Sequence, residues 1–185
     1  MPNDRVGASA IADWLVDAGV AEALVVHDHG PEYGLPVAGM CVEAARERGL
    51  TARSRPVWDH DESPAADLGA ARAVLYVGVA GSGAAELWHG LHAANPELWL
   101  LGTEGVAVEW LAEALSPAAA ERTRFFVAPS APLDDYGEQA MRLILDAVAE
   151  GGEDREAIVR AALARHIPSI AYGCLAIAGG RLVSA

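Results

Sequence analysis

The chain has 185 residues, 52% of them hydrophobic, and carries a formal net charge of −13. That apolar content excludes a disordered chain, and the length suits one domain with a substantial core. The acidity disfavours nucleic acid and anionic lipid as partners, and no apolar run approaches the roughly 20 residues that insert across a bilayer.

In chain order, residues 7–19 predict a helix with an Ile11, Trp14, Leu15, Ala18 stripe. Residues 23–28 (ALVVHD) read as a first strand, closed by the turn-forming loop HGPEYG. A second helix is expected over about 35–48, with Arg46 and Arg48 at its negative end and Gly49 as its stop. Residues 51–58 predict a shorter second strand, and the acidic WDHDESPAAD leads through a weak helix near 65–70. The stretch from Ala73 to Val106 is a strand, a glycine-rich turn, a helix, a strand and an acidic turn. Its strands are nearly all apolar, as strands covered on both faces should be, and Ser82 stands where a helix cap belongs. A helix over Val108–Leu115 ends near Ser116-Pro117, and TRFFV (123–127) is a fifth strand. Pro129, Ala131 and Pro132 mark a linker before two helices, 135–150 and 153–166. The first of these carries Met141, Ile144, Leu145 and Val148 on one face. The tail predicts two short strands joined by Gly179-Gly180. This β-α alternation defines an α/β fold, a doubly wound, mostly parallel sheet with a C-terminal antiparallel hairpin. One domain, 1–185, is expected: a core over 1–131, two helices over 132–168 and the hairpin over 169–185.

Few residues carry chemistry. Gly78-Val-Ala-Gly81-Ser-Gly83 opens a helix after a strand, and Glu104 lies about 20 residues on, as in dinucleotide folds. The spacing, however, is G-x-x-G-x-G, it follows a middle strand, and the chain contains no Lys. His27-Asp28-His29 and Asp59-His60-Asp61-Glu62 hold metal-ligand residue types, but strand alternation sends His27 and His29 to the face opposite Asp28. Ser82 lacks a G-x-S-x-G elbow. Cys41 and Cys174 match no metal spacing, and Cys41 lies in an apolar helical run, as a buried free thiol would. Tyr33 and Glu104 each lie just beyond a strand end. A carboxylate accepts hydrogen bonds from an ammonium, and a Tyr face holds a cation or an apolar side chain. Together they would make a half-site for an amino acid.

ALVVHDHGPEYG with the helix ending in ERGL, the run AVLYVGV…ELWHGLHAANPELWLLGTEGV, and YGEQAMRLILDAVAEGGEDREAIVRAAL resemble a known family. They are similar to the second lobe of type I periplasmic binding proteins, the Leu/Ile/Val-type receptors of ABC importers. The motif-like parts are the D-x-x-x-x-Y-G loop from Asp28 to Gly34 and the G-x-E-G-V turn from Gly102 to Val106. The resemblance implies that Tyr33 and Glu104 contact a bound amino acid. Asp28 and Ser82 join them as candidate binding residues at the same strand ends. The family's further aromatic contact after the middle strand is replaced by Val79-Ala80-Gly81. The first lobe and the half-site it carries have no counterpart in this sequence.

The resulting expectation is a non-catalytic, amino-acid-like ligand-binding domain with no cofactor and no metal, related to a branched-chain amino acid ABC transporter component. A homodimer through helices 135–150 and 153–166 would cover their apolar stripe. MPNDRVGASA lacks a signal-peptide core. The chain would be extracytoplasmic as a fragment of an exported receptor and cytoplasmic as a whole gene product. Two alternatives remain: a flavodoxin-like nucleotide-binding enzyme using Gly78–Gly83, and a ligand-free interaction module derived from the receptor fold.

Overall fold

The computed structural model describes residues 4–29, 32–57, 67–81, 83–128, 133–164 and 172–185. Ser82, the acidic segment 59–62 and the proline linker at 129–132 lie outside the described residues, as do the first two residues of the helix expected near 65–70; of the remainder, 67 and 68 are helical and 69 and 70 form a turn.

Seven strands form one sheet. They are β1 (Glu22–His27), β2 (Thr51–Pro56), β3 (Ala73–Val77), β4 (Trp99–Thr103), β5 (Thr123–Val127), β6 (Gly173–Ala178) and β7 (Arg181–Ser184). Their spatial order is β2-β1-β3-β4-β5-β6-β7. The first five are parallel, β6 runs antiparallel to β5, and β7 antiparallel to β6. β1 and β3 are buried almost throughout. That is the reason for their continuous Val/Leu/Ala runs: a parallel strand is covered on both faces. The Gly179-Gly180 turn has positive φ at both glycines (58° and 76°), the conformation a two-residue hairpin turn demands.

Two apolar layers cover the sheet. On one face, α1 (Asp4–Asp17) and α2 (Gly34–Glu47) bury Ile11, Leu15, Val37 and Cys41 against Val25, Leu75 and Phe126. On the other, α3 (Ala84–Ala94), α4 (Glu109–Ala114) and α5 (Pro117–Glu121) pack Trp88, Leu91 and Leu111 against Leu24, Val74, Leu100 and Phe125. Trp88 stacks on Phe125, with ring centroids 6.5 Å apart, and meets Tyr76 edge-on at 5.7 Å. Arg48 ties the first layer together, donating from Nε to Asp13 at 2.6 Å and from Nη1 to the Ala44 carbonyl at 3.0 Å. Arg46 instead reaches the Ala52 carbonyl of β2, at 2.8 and 3.1 Å.

One sequence expectation is corrected, and another is borne out and extended. The N-cap of α3 is Gly83, left-handed at φ 109°, and not Ser82. A glycine enters that conformation without strain, so the helix begins at Ala84 with no side-chain cap. Ser116-Pro117 ends α4 and also starts α5: the Ser116 hydroxyl accepts from the Ala119 N–H at 3.3 Å, and Pro117 takes the first helical position, where no donor is needed.

The described chain divides into two compact units. The second contains α6 (Leu133–Gly151) and α7 (Arg155–Ala164), which pack on one another. Gly152 makes the turn at φ 61°, and Asp154 caps α7 by accepting from the Glu156 N–H at 2.9 Å. Met141, Ile144, Leu145 and Val148 of α6 are exposed, as is Val159 of α7. No helix among the described residues is long and apolar enough to cross a membrane.

The stacked aromatic pair defines a stability test. Phe125 is fully buried, so Phe125→Ala should cost about 3–5 kcal/mol in urea unfolding, while Val79→Ala, at an exposed position, should cost under about 0.5 kcal/mol.

Candidate functional site

β4 places Thr103 and Glu104 at the carboxyl edge of the sheet, where open parallel sheets bind ligands. Glu104 begins a single 3-10 turn, Glu104–Val106. That turn is fixed from the side by the loop after β3: the Ala80 N–H donates to the Gly105 carbonyl at 2.7 Å. A Cβ at position 105 would meet the Gly78 carbonyl oxygen at 2.3 Å, so the two loops close together only through glycine. The glycine-rich stretch is thus used, at this end, to seat the Glu104 turn.

Tyr33 arrives from the other side of β3. It directly precedes α2, in the loop after β1, and its hydroxyl donates to Thr103 Oγ1 at 3.2 Å. The two residues singled out from the sequence therefore line one cavity with Asp4 and Gly7 of α1 and with Tyr172. Its floor is apolar, from Ile11, Val37 and Phe126. Among the described lining residues there is no Lys, Arg or His. The free space is about 10 Å³ for the centre of a water molecule, room for one water-sized group.

Tyr172 is the residue that sequence reading missed. Because β6 is antiparallel, its first residue, Gly173, pairs with Val127, the last residue of β5. Tyr172 consequently sits at the same edge as Glu104 and lines the same cavity, its hydroxyl acting to lower the Glu104 pKa. The Ala128 N–H, at the exit of β5, also lowers the pKa of that carboxylate. The signal available in the sequence was direction: once the tail is a hairpin on β5, the residue entering it must face the strand ends.

The electrostatics follow from this arrangement. Glu104 keeps substantial solvent exposure as a residue, but partial burial of its carboxyl and the neighbouring Asp4 raise its pKa, against the lowering effect of the Ala128 and Tyr172 donors. Burial likewise raises the Tyr33 phenol, with Glu104 and Asp4 adding to it and the Thr103 hydrogen bond opposing it. Burial pushes the Cys41 thiol up to about 12, consistent with an inert, buried free cysteine.

The other candidates stand apart. Asp28 does not line the cavity; its carboxylate lies against Gly34, where a Cβ would come within 2.0 Å of Oδ1, and it bears on Tyr76 of the opposite face. His27 is buried, and its Nδ1 donates to the Asp28 carbonyl at 2.7 Å, whereas His29 is exposed. A wider open groove between α2 and β2 is lined by Arg46 and Arg53, whose guanidinium groups are taken by backbone carbonyls of Ala52, Asp67 and Leu68.

No protein-family profile matches the sequence, and no curated protein does. Solved structures do match in fold. A Rhodospirillum rubrum protein described as a branched-chain amino acid ABC transporter superposes with a TM-score of 0.74 at 16% identity, over 100% of this chain and 66% of its own. A leucine-binding protein of Thermotoga maritima gives 0.68 at 16% identity, over 98% and 65%. An ABC transporter substrate-binding protein of Desulfitobacterium hafniense, solved in complex with Leu, gives 0.65 at 16%, over 100% and 66%. The fold is that of the type I periplasmic binding proteins, and the chain spans about two thirds of the length of these relatives.

Glu104 gives a pH test. Its folded pKa lies above the ordinary 4.5, so the folded state holds the proton more tightly than the unfolded state. Its contribution to stability is then greatest at low pH and is lost as pH rises from about 4.5 through the raised value. Urea unfolding between pH 4 and pH 8 should show this decline in the wild type, and a shallower one in Glu104→Gln.

Proposed function

We propose that this chain is a non-catalytic recognition lobe for a small amino-acid-like ligand, held by its ammonium group at Glu104 beside Tyr33. One observation supports this reading above the rest. A carboxylate and a tyrosine hydroxyl, brought from two strand ends, share a cavity whose described lining contains a second carboxylate and no cation. Such a cluster favours a positively charged donor and disfavours phosphates and other anions. The leucine complex of the Desulfitobacterium relative fits this ligand class. A single lobe offers only part of the contacts that enclose a ligand, so binding should be weak.

Isothermal titration of the full chain with L-leucine, L-isoleucine and L-valine, set beside NAD, FMN and ATP, tests the reading. Heat is expected with the amino acids, and Glu104→Gln should weaken binding roughly 10- to 100-fold, the worth of a charge-assisted hydrogen bond. Binding of a nucleotide with no response to amino acids would instead favour the nucleotide alternative.

We also propose that a second copy of the chain covers the exposed Met141, Ile144, Leu145 and Val148 face of α6. Sedimentation equilibrium should show a dimer that Leu145→Glu converts to monomer. A wild-type monomer at high concentration would remove the proposal.

A further inference from the structure

The cavity at Glu104 has little free space, and Tyr172 is among the residues that line it. Its ring lies against α1 at Gly7, where a Cβ would come 2.8 Å from two ring carbons. Any larger residue at position 7 would therefore push the ring away. Its side chain lines the same cavity as the Glu104 carboxylate, and its hydroxyl acts to lower the pKa of that carboxylate. What remains is space for one water-sized group, too little for the atoms that follow an ammonium in any amino acid.

We propose that Tyr172 is an internal occupant of the Glu104 subsite, holding the donor position of the ligand until a ligand displaces it; this rests on the ligand reading above. The exchange is chemically favourable at the carboxylate. A phenol is a neutral donor, an ammonium a charged one, and hydrogen bonds between charged partners are the stronger. The phenol stays neutral across the physiological range, because burial and then the charges of Glu104 and Asp4 raise its pKa further. Displacing the ring also clears the space a ligand needs. Against this stands the contact that must be broken, so apparent affinity falls by the fraction of molecules in which Tyr172 is seated.

Two measurements on the full chain separate this from the reading beneath it. In calorimetric titration, Tyr172→Ala should bind L-leucine roughly tenfold more tightly than wild type, the worth of one released hydrogen bond. Gly7→Ala, which displaces the ring without altering Glu104 or Tyr172, should change affinity in the same direction. Equal or weaker binding in both variants overturns the proposal, since Tyr172 would then be neutral or itself a ligand contact. The second measurement needs no amino acid. p-Cresol, the Tyr side chain as a free molecule, should raise the Tm of Tyr172→Ala but not that of wild type, and toluene, which lacks the hydroxyl, should raise it less. If p-cresol performs no better than toluene, the subsite claim fails. Absence of leucine binding in every variant, with the p-cresol response intact, removes the amino-acid reading and upholds Tyr172 as the occupant.

Discussion

A carboxylate whose described cavity neighbours include no cation sets the character of the sheet edge. The groups that lower the Glu104 pKa there are neutral, the Ala128 N–H and the Tyr172 hydroxyl. Both come from the β5–β6 pair. The Ala128 donor lies at the exit of β5, and Tyr172 stands at the entry to β6 because that strand runs back against its neighbour. The antiparallel addition to an otherwise parallel sheet therefore completes the polar environment of a residue carried by β4. Neutral donors compensate a carboxylate less than an Arg or Lys would, which leaves a demand for positive charge at this point.

The rest of the fold fixes Glu104 in place. Its turn cannot drift, because Gly105 is closed against Gly78 and bonded to Ala80. Beneath it, Phe125 and Trp88 fill one side of the sheet and Phe126, Ile11 and Val37 the other. The apolar floor of the cavity is the end of this second layer, so the site is the place where the α1–α2 core reaches the strand ends. Rigid support with small residues at the close approaches is how a scaffold keeps a polar group poised.

Most of the sheet was legible in the sequence, because burial on both faces writes long apolar runs and helices between parallel strands write 3.6-residue stripes. Tyr33 and Glu104 were legible as strand-end residues, and the Tyr33–Thr103 hydrogen bond draws them to one cavity. What escaped was set by three-dimensional proximity. Tyr172 is 68 positions from Glu104 along the chain, and only the direction of β6 joins them. Gly7 reads as an unremarkable helix residue until a ring is found against it. Ser116-Pro117 carries the same dipeptide signal whether it closes a helix or opens one, and here it does both. Asp28 belongs to the same loop as Tyr33, yet its carboxylate serves the loop's own closure on Gly34.

We propose that Glu104 is the group a ligand's ammonium meets, with Tyr172 giving way. Carbon-13 NMR of the Glu side-chain carboxyl and Tyr ring carbons, followed while L-leucine is added to the full chain, tests it most directly. The Glu104 carboxyl and Tyr172 ring resonances should shift together and saturate at one ligand concentration. Saturable leucine binding that leaves the Glu104 carboxyl resonance unmoved would contradict the account.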